Sequence, residues 1–167
     1  MAMSWFKGLV AVAVLCAAPA WAGVSKKYRE ASEALVQAGY YAENAEGARD
    51  LFERALAADP GNVDALVGLG RAHEDLGRVG TGLKYYRRAL TIEPNHRRAL
   101  EAQALAFLKK DSLDKAERNR ARLERICGRS GCDELDVVTQ AIGAHLAGEV
   151  AIADPEPEPG EAPDPSL

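Results

Sequence analysis

The sequence predicts an all-α protein, a short α-solenoid of about three helix-turn-helix repeats closed by a C-terminal capping helix. Three observations carry this prediction. The segments before Pro60 and Pro94 echo one another at a spacing of 34 residues, with Ala48, Phe52 and Ala55 in the register that Gly82, Tyr86 and Ala89 occupy one period later. Apolar residues recur at steps of three and four, and there are no strand-like runs. Each proline ends a helix-length segment and opens a turn, Pro60-Gly61-Asn62 and Pro94-Asn95. Stacked copies of one unit make an extended binding surface rather than a catalytic pocket.

In chain order, residues 1–22 read as a secretory signal peptide. Lys7 precedes an apolar core from Leu9 to Ala18, and Ala20-Trp21-Ala22 is an A-x-A site for cleavage after Ala22. The core is shorter than the ~20 residues of a bilayer span, so no membrane span is expected after cleavage. Leu15 stands where a lipidated Cys16 would want a small residue before it. The mature chain, about 145 residues and enough for one domain with a modest core, is expected in the periplasm or secreted.

Residues 23–148 are expected to form the helical domain. The first unit carries Leu35, Ala48, Phe52, Ala55 and Pro60, with Gly39 at an aromatic position and Tyr40 and Tyr41 beside it. The second runs from Val63 to about His96 with Leu66, Leu69, Gly70, His73, Gly82, Tyr86, Ala89 and Pro94. Adding the period places a third at Leu100, Ala104, Phe107, Ala116 and Leu123, although Gln103 and Arg120 fall at apolar positions and no proline closes it. Small residues at Ala48, Gly70, Gly82 and Ala116 let paired helices approach closely. His73, on the packing face, is expected to be buried and hydrogen-bonded.

Beyond the third unit lie Cys127 and Cys132, separated by Gly128-Arg129-Ser130-Gly131. In an oxidising compartment such a pair reads as a disulfide, with the glycines letting the chain double back. A redox-active thiol pair and a metal site are the alternatives. The second lacks ligands, because His73, His96 and His145 are scattered. A helix is expected to start at Asp133 as N-cap, with Leu135, Val138, Ile142 and Leu146 as the stripe that covers the open end of the stack. Residues 149–167 are expected to be a disordered acidic tail: from Asp154 onward there are five acidic residues and five prolines.

The charge is unevenly spread. The formal net charge is −4, and residues 154–167 alone carry −5. From Lys84 to Ser130 there are 13 basic and 6 acidic residues, a surplus that would attract an acidic partner or the tail itself. Nucleic acid is not an expected partner of an exported acidic protein.

The repeated unit resembles the tetratricopeptide repeat, a pair of antiparallel helices with the pattern W-x2-L-G-x2-Y…A-x3-F-x2-A-x4-P. Here Leu66 replaces the Trp, Leu69-Gly70 supplies the L-G pair, His73 replaces the Tyr, and Gly82, Tyr86, Ala89 and Pro94 complete it. From Val24 to about Ala147, with its C-x4-C turn, the chain is also similar to small exported bacterial proteins of this family. The resemblance implies that the first helix of each pair lines a concave groove. By position the groove candidates are Glu30, Glu33, Gln37, Tyr40 and Tyr41 in the first unit, Asp64, Val67, Arg71, Glu74 and Asp75 in the second, and Arg98, Glu101, Leu105, Leu108 and Lys109 in the third. Helical spacing places each set on one face, and the tyrosines offer large contact area. Leu105 and Leu108 are either an apolar strip of the groove or part of the packing against the last helix. A family subtype grips a partner's terminal carboxylate with a Lys/Asn/Arg clamp. Glu33, Gln37, Gly68 and Ala102 occupy those positions here, leaving Arg98 alone, so carboxylate capture is not expected.

No G-x-S-x-G, H-E-x-x-H or phosphate-cradling glycine loop is present. Neither catalysis nor a cofactor or metal is expected. The function implied is a non-catalytic protein–protein interaction module, a scaffold or assembly factor of the bacterial envelope that binds a partner segment in the groove. The alternatives are a thiol/redox-active factor using Cys127 and Cys132, or a permanent accessory subunit of an envelope complex.

Overall fold

The computed structural model describes residues 20–153, with side chains for residues 25–148. Residues 1–19 of the expected signal peptide and 154–167 of the expected tail lie outside the described residues. Seven helices follow one another: α1 (Ala20–Tyr40), α2 (Ala45–Ala58), α3 (Val63–Asp75), α4 (Val79–Ile92), α5 (Arg97–Leu108), α6 (Leu113–Cys127) and α7 (Asp133–Ala153), with a short 3₁₀ turn at Gly128–Ser130. No strand occurs among the described residues. The helices pair as three hairpins, and α7 packs on α5 and α6.

Helix starts repeat with the sequence period. The Asn62 side chain accepts a hydrogen bond from the Ala65 N–H at 2.9 Å, and 34 residues later His96 Nδ1 accepts one from the Ala99 N–H at 3.2 Å. Such caps satisfy donors that a helix start leaves unmet. Asn62 also donates to the Ser32 hydroxyl, which donates to the Ala55 carbonyl, both at 2.9 Å. Ser32, fully buried, thus joins three helices at the position where Leu66 and Leu100 sit one and two periods later. Arginines repeat as well: Arg88 donates to the Pro60 carbonyl at 2.9 Å, and Arg122, one period on, donates to that of Pro94.

The core is a string of three clusters. Phe52, Val36 and Leu69 fill the first, Leu66, Val67 and Tyr86 the second, and Leu100, Leu123 and Val138 the third. The partly buried Leu56, Tyr85 and Leu90 each border two of them. Glycine makes the close approaches possible. A Cβ on Gly68 would lie 2.3 Å from the Phe52 ring and one on Gly39 2.7 Å from it, while one on Gly70 would lie 2.3 Å from the Tyr86 ring. Gly39 is therefore the seat of a neighbouring ring.

Other expectations change in detail. In the third hairpin the non-apolar positions are not gaps. Gln103, buried, accepts from the buried Asn119 at 3.0 Å, and Asn119 also donates to the Leu100 carbonyl. Arg120 pairs with Glu117 and Glu124 along its own helix. The carbonyl that accepts the first bonds of α7 belongs to Cys132, so Asp133 lies inside the first turn rather than at the cap. Leu146 is 41% exposed and outside the stripe, whereas Val138 and Ile142 are buried. His73 is buried and stacks parallel on Tyr85 at 5.3 Å, but its Nδ1 has no hydrogen-bond partner. Cys127 and Cys132 are paired, with Cα atoms 5.7 Å apart. Gly128 and Gly131 bracket the turn at φ of 61° and 67°, a backbone region that other residues enter at a cost.

Two alanine substitutions should act in opposite directions. Gly70→Ala pushes a methyl into a fully buried ring and should cost about 1–2 kcal/mol, since overpacking outweighs the gain in helix propensity. Gly143→Ala meets nothing within 4 Å and should stabilise by ~0.5–1 kcal/mol. Denaturant unfolding of both variants checks the pair, and equal shifts would refute the ring-seat account.

Candidate functional site

Stacking sets α1, α3, α5 and α7 side by side, and a cleft of about 550 Å³ runs across them. Gln37 and Tyr40 line it from α1 and Tyr41 from the turn just after it, Arg71 from α3, Arg98 and Glu101 from α5, and Asp133, Glu134 and Val137 from α7. Six of the sequence-predicted groove residues thus meet in one depression. Arg71 also borders the two adjoining depressions, which makes it the centre of the concave face.

Tyr40 closes the α1 side. Its ring meets Phe52 edge-on at 5.2 Å, and its hydroxyl donates to the Asp64 carbonyl at 3.4 Å. Burial, then the Asp64 carboxylate, pushes the phenol pKa up. Tyr41 is 85% exposed. Across the floor Arg71 donates to Glu101 at 3.2 Å. Burial raises the Glu101 pKa above the usual carboxylate value, while Arg71 pulls against that shift. Asp64 faces both His96 and Arg98, at 3.6 and 4.0 Å, and Arg97 faces Glu134 at 3.6 Å. Below Arg71, Glu74 is nearly enclosed. It accepts from the Tyr86 hydroxyl and from Lys109, the latter at 2.8 Å, and burial, then the hydrogen bond to Glu74, raises the Tyr86 pKa.

The remaining candidates are placed differently. Val67 is not a groove residue: it is fully buried in the middle cluster, because α3 is covered on both sides and nine of its 13 residues are buried. Leu108 packs with Val138 and Ile142. Leu105 and Lys109 line a separate depression of about 830 Å³ with Ala141, Ala144 and His145. Asp64 borders a third, with His96, Arg97 and Arg98. Glu33 stays exposed on α1. Of the basic residues of the third unit, Arg98 lines the cleft and those of α6 do not enter it. Lys115, Arg118 and Arg125 are exposed on α6, the second helix of its hairpin. Asp133, Glu134 and Val137 are not among the predicted groove residues, since the sequence marks α7 as a cap. Extending the period once more from Leu100 and Gln103 reaches Glu134 and Val137, so the signal was present.

A tetratricopeptide repeat family model matches residues 33–96. Over 87 residues, half of the chain, the sequence is 30% identical to Superkiller protein 3 of Saccharomyces cerevisiae, and the match spans only 6% of that protein's length. The fold is similar to the tetratricopeptide domain of Sgt2 from Aspergillus fumigatus, with a TM-score of 0.61 at 17% identity, covering 85% of this chain and 91% of that one. It is also similar to the Yersinia enterocolitica type III secretion chaperone SycD in complex with a peptide of the translocator YopD. There the TM-score is 0.54 at 16% identity, and the coverage is 77% and 94%. Residues 33–96 thus match the tetratricopeptide repeat, and the fold similarity extends over the helices that follow. Domains of this kind are protein–protein interaction modules with a non-catalytic architecture.

The Glu101 shift has a sign that can be checked. A glutamate that holds its proton more tightly when folded loses its stabilising contribution as pH rises from ~4.3 to the folded midpoint, and the contribution is then level. A carboxyl-carbon NMR titration should place Glu101 above an ordinary glutamate. Arg71→Leu should raise the midpoint further, because the opposing cation is gone. A midpoint that falls in that variant would contradict the assignment.

Proposed function

We propose that the protein is an exported, non-catalytic interaction module that holds a segment of a partner protein in its concave cleft. The observation that carries this reading is the convergence of Tyr40, Tyr41, Arg71, Arg98 and Glu101, from three successive first helices and the turn after the first, in one open depression. The cleft offers rings with little rotamer freedom to lose and ion pairs that fix its floor, which suits recognition of a chain segment. A structural relative, SycD, has a peptide bound, which supports the same use here. The leader read over residues 1–22 assigns the work to the envelope or beyond it, as a scaffold or assembly factor.

Photocrosslinking in the host tests the cleft. A photoreactive residue at position 41 should capture a partner that the same residue at position 118, exposed on α6, does not. Capture from position 118 alone would move the site to the outer surface.

In an oxidising compartment the Cys127–Cys132 pair acts as a structural bridge between α6 and α7. On the chain-entropy model, closing so short a loop contributes roughly 2 kcal/mol. Cys127→Ser/Cys132→Ser should lose about that much in denaturant unfolding while crosslinking from position 41 persists. Loss of partner capture in a variant that remains folded would instead assign the cysteines to function.

A further inference from the structure

The concave face carries a charge pattern that specifies the chemistry of its occupant. Three cations that reach the face are already matched by a carboxylate from a neighbouring first helix: Arg71 by Glu101 at 3.2 Å, Arg98 by Asp64 at 4.0 Å and Lys109 by Glu74 at 2.8 Å. Glu33, Asp75 and Asp133 are exposed and pair with no cation among the described residues. Asp133 lines the cleft, and Asp75 lines the depressions on either side of Arg71. The face is therefore left with surplus negative charge, and beside it stand the rings of Tyr40 and Tyr41, 40% and 85% exposed. Next to Asp75, the depression bordered by Leu105, Ala141 and Ala144 has an apolar lining.

We propose, resting on the cleft reading above, that the occupant is a basic, extended segment of a partner protein. Its lysine or arginine side chains lie against Asp75, Asp133 and the tyrosine faces, and an apolar side chain enters the depression at Leu105, Ala141 and Ala144. Cations are attracted both by the free carboxylates and by aromatic ring faces. An acidic segment would meet repulsion from those carboxylates and would find Arg71, Arg98 and Lys109 already engaged. The outer surface reinforces the choice, because Lys115, Arg118 and Arg125 are exposed on α6 with no carboxylate paired to them among the described residues. That helix repels a basic chain, so the field of the molecule steers such a chain to the cleft.

Fluorescence anisotropy with three labelled peptides tests this on the purified protein. The peptides share a Ser/Gly background with leucines, and carry lysine, glutamine or glutamate at the same positions. The lysine peptide should bind about tenfold more tightly than the glutamine peptide at low salt, with the advantage shrinking as salt is added. Asp75→Asn/Asp133→Asn should remove most of that advantage, weakening the lysine peptide far more than the glutamine peptide. An undiminished advantage in this variant would overturn the proposal, since the lysines would then be held elsewhere, for instance by the acidic run after residue 153. Tighter binding of the glutamate peptide would also overturn it. If that binding were lost in Tyr41→Ala, the cleft would stand and only its charge preference would fall. If no peptide responded to Tyr41→Ala, the cleft reading itself would fail.

Discussion

The seating of an aromatic ring from a second helix against glycine backbone on the first helices sets the geometry on which the rest depends. Phe52 lies over both Gly39 of α1 and Gly68 of α3, so one ring fixes the spacing within a hairpin and the spacing to the next. Tyr86 fixes the spacing within the second hairpin in the same way, against Gly70 of α3. Because these contacts leave no room even for a methyl group, the first helices stand at a defined distance from one another. Interiors packed to this density do not deform gradually. Side chains that point to the concave side therefore inherit a spacing set by the core.

That inheritance is direct for Tyr86. Its ring is fully buried on Gly70, yet its hydroxyl reaches Glu74, and Glu74 holds Lys109 of the third hairpin. A hydrogen-bonded chain thus runs from the core contact between α3 and α4 to the start of the loop after α5. The Arg71–Glu101 pair crosses the same interval higher in the cleft. Exposed ion pairs contribute little to stability. Here they hold side chains in place, so that the cleft presents a fixed pattern of charge and ring faces.

Much of the architecture was legible in the residues. The period, the ring positions Phe52 and Tyr86, and the small residues at Gly70 and Gly82 are local signals, and they define helix pairs without further information. What escaped depends on neighbours that spacing does not name. Val67 has the helical position of a groove residue, but α3 is the middle first helix and is covered from both sides. Gln103 looks like a defect in an apolar pattern, and only its approach to Asn119 across α5 and α6 shows that it is satisfied. Gly39 stands at an aromatic position of the pattern, and the ring that rests on it is supplied 13 residues later by Phe52. The α7 residues of the cleft are hidden in the sequence because that helix has the stripe of a lid and no second helix after it in the described chain, yet it stands in the place of the next first helix.

The Arg88–Pro60 and Arg122–Pro94 contacts have a bearing on how the chain is made. Each links a turn between hairpins to a residue 28 positions further along, on the second helix of the following hairpin. A nascent chain that has emerged only as far as the turn cannot complete it, since the donor is still to be synthesised. The set of contacts around each turn is therefore complete only when most of the following hairpin is present, so the units that share these bonds fall out of step with the repeats.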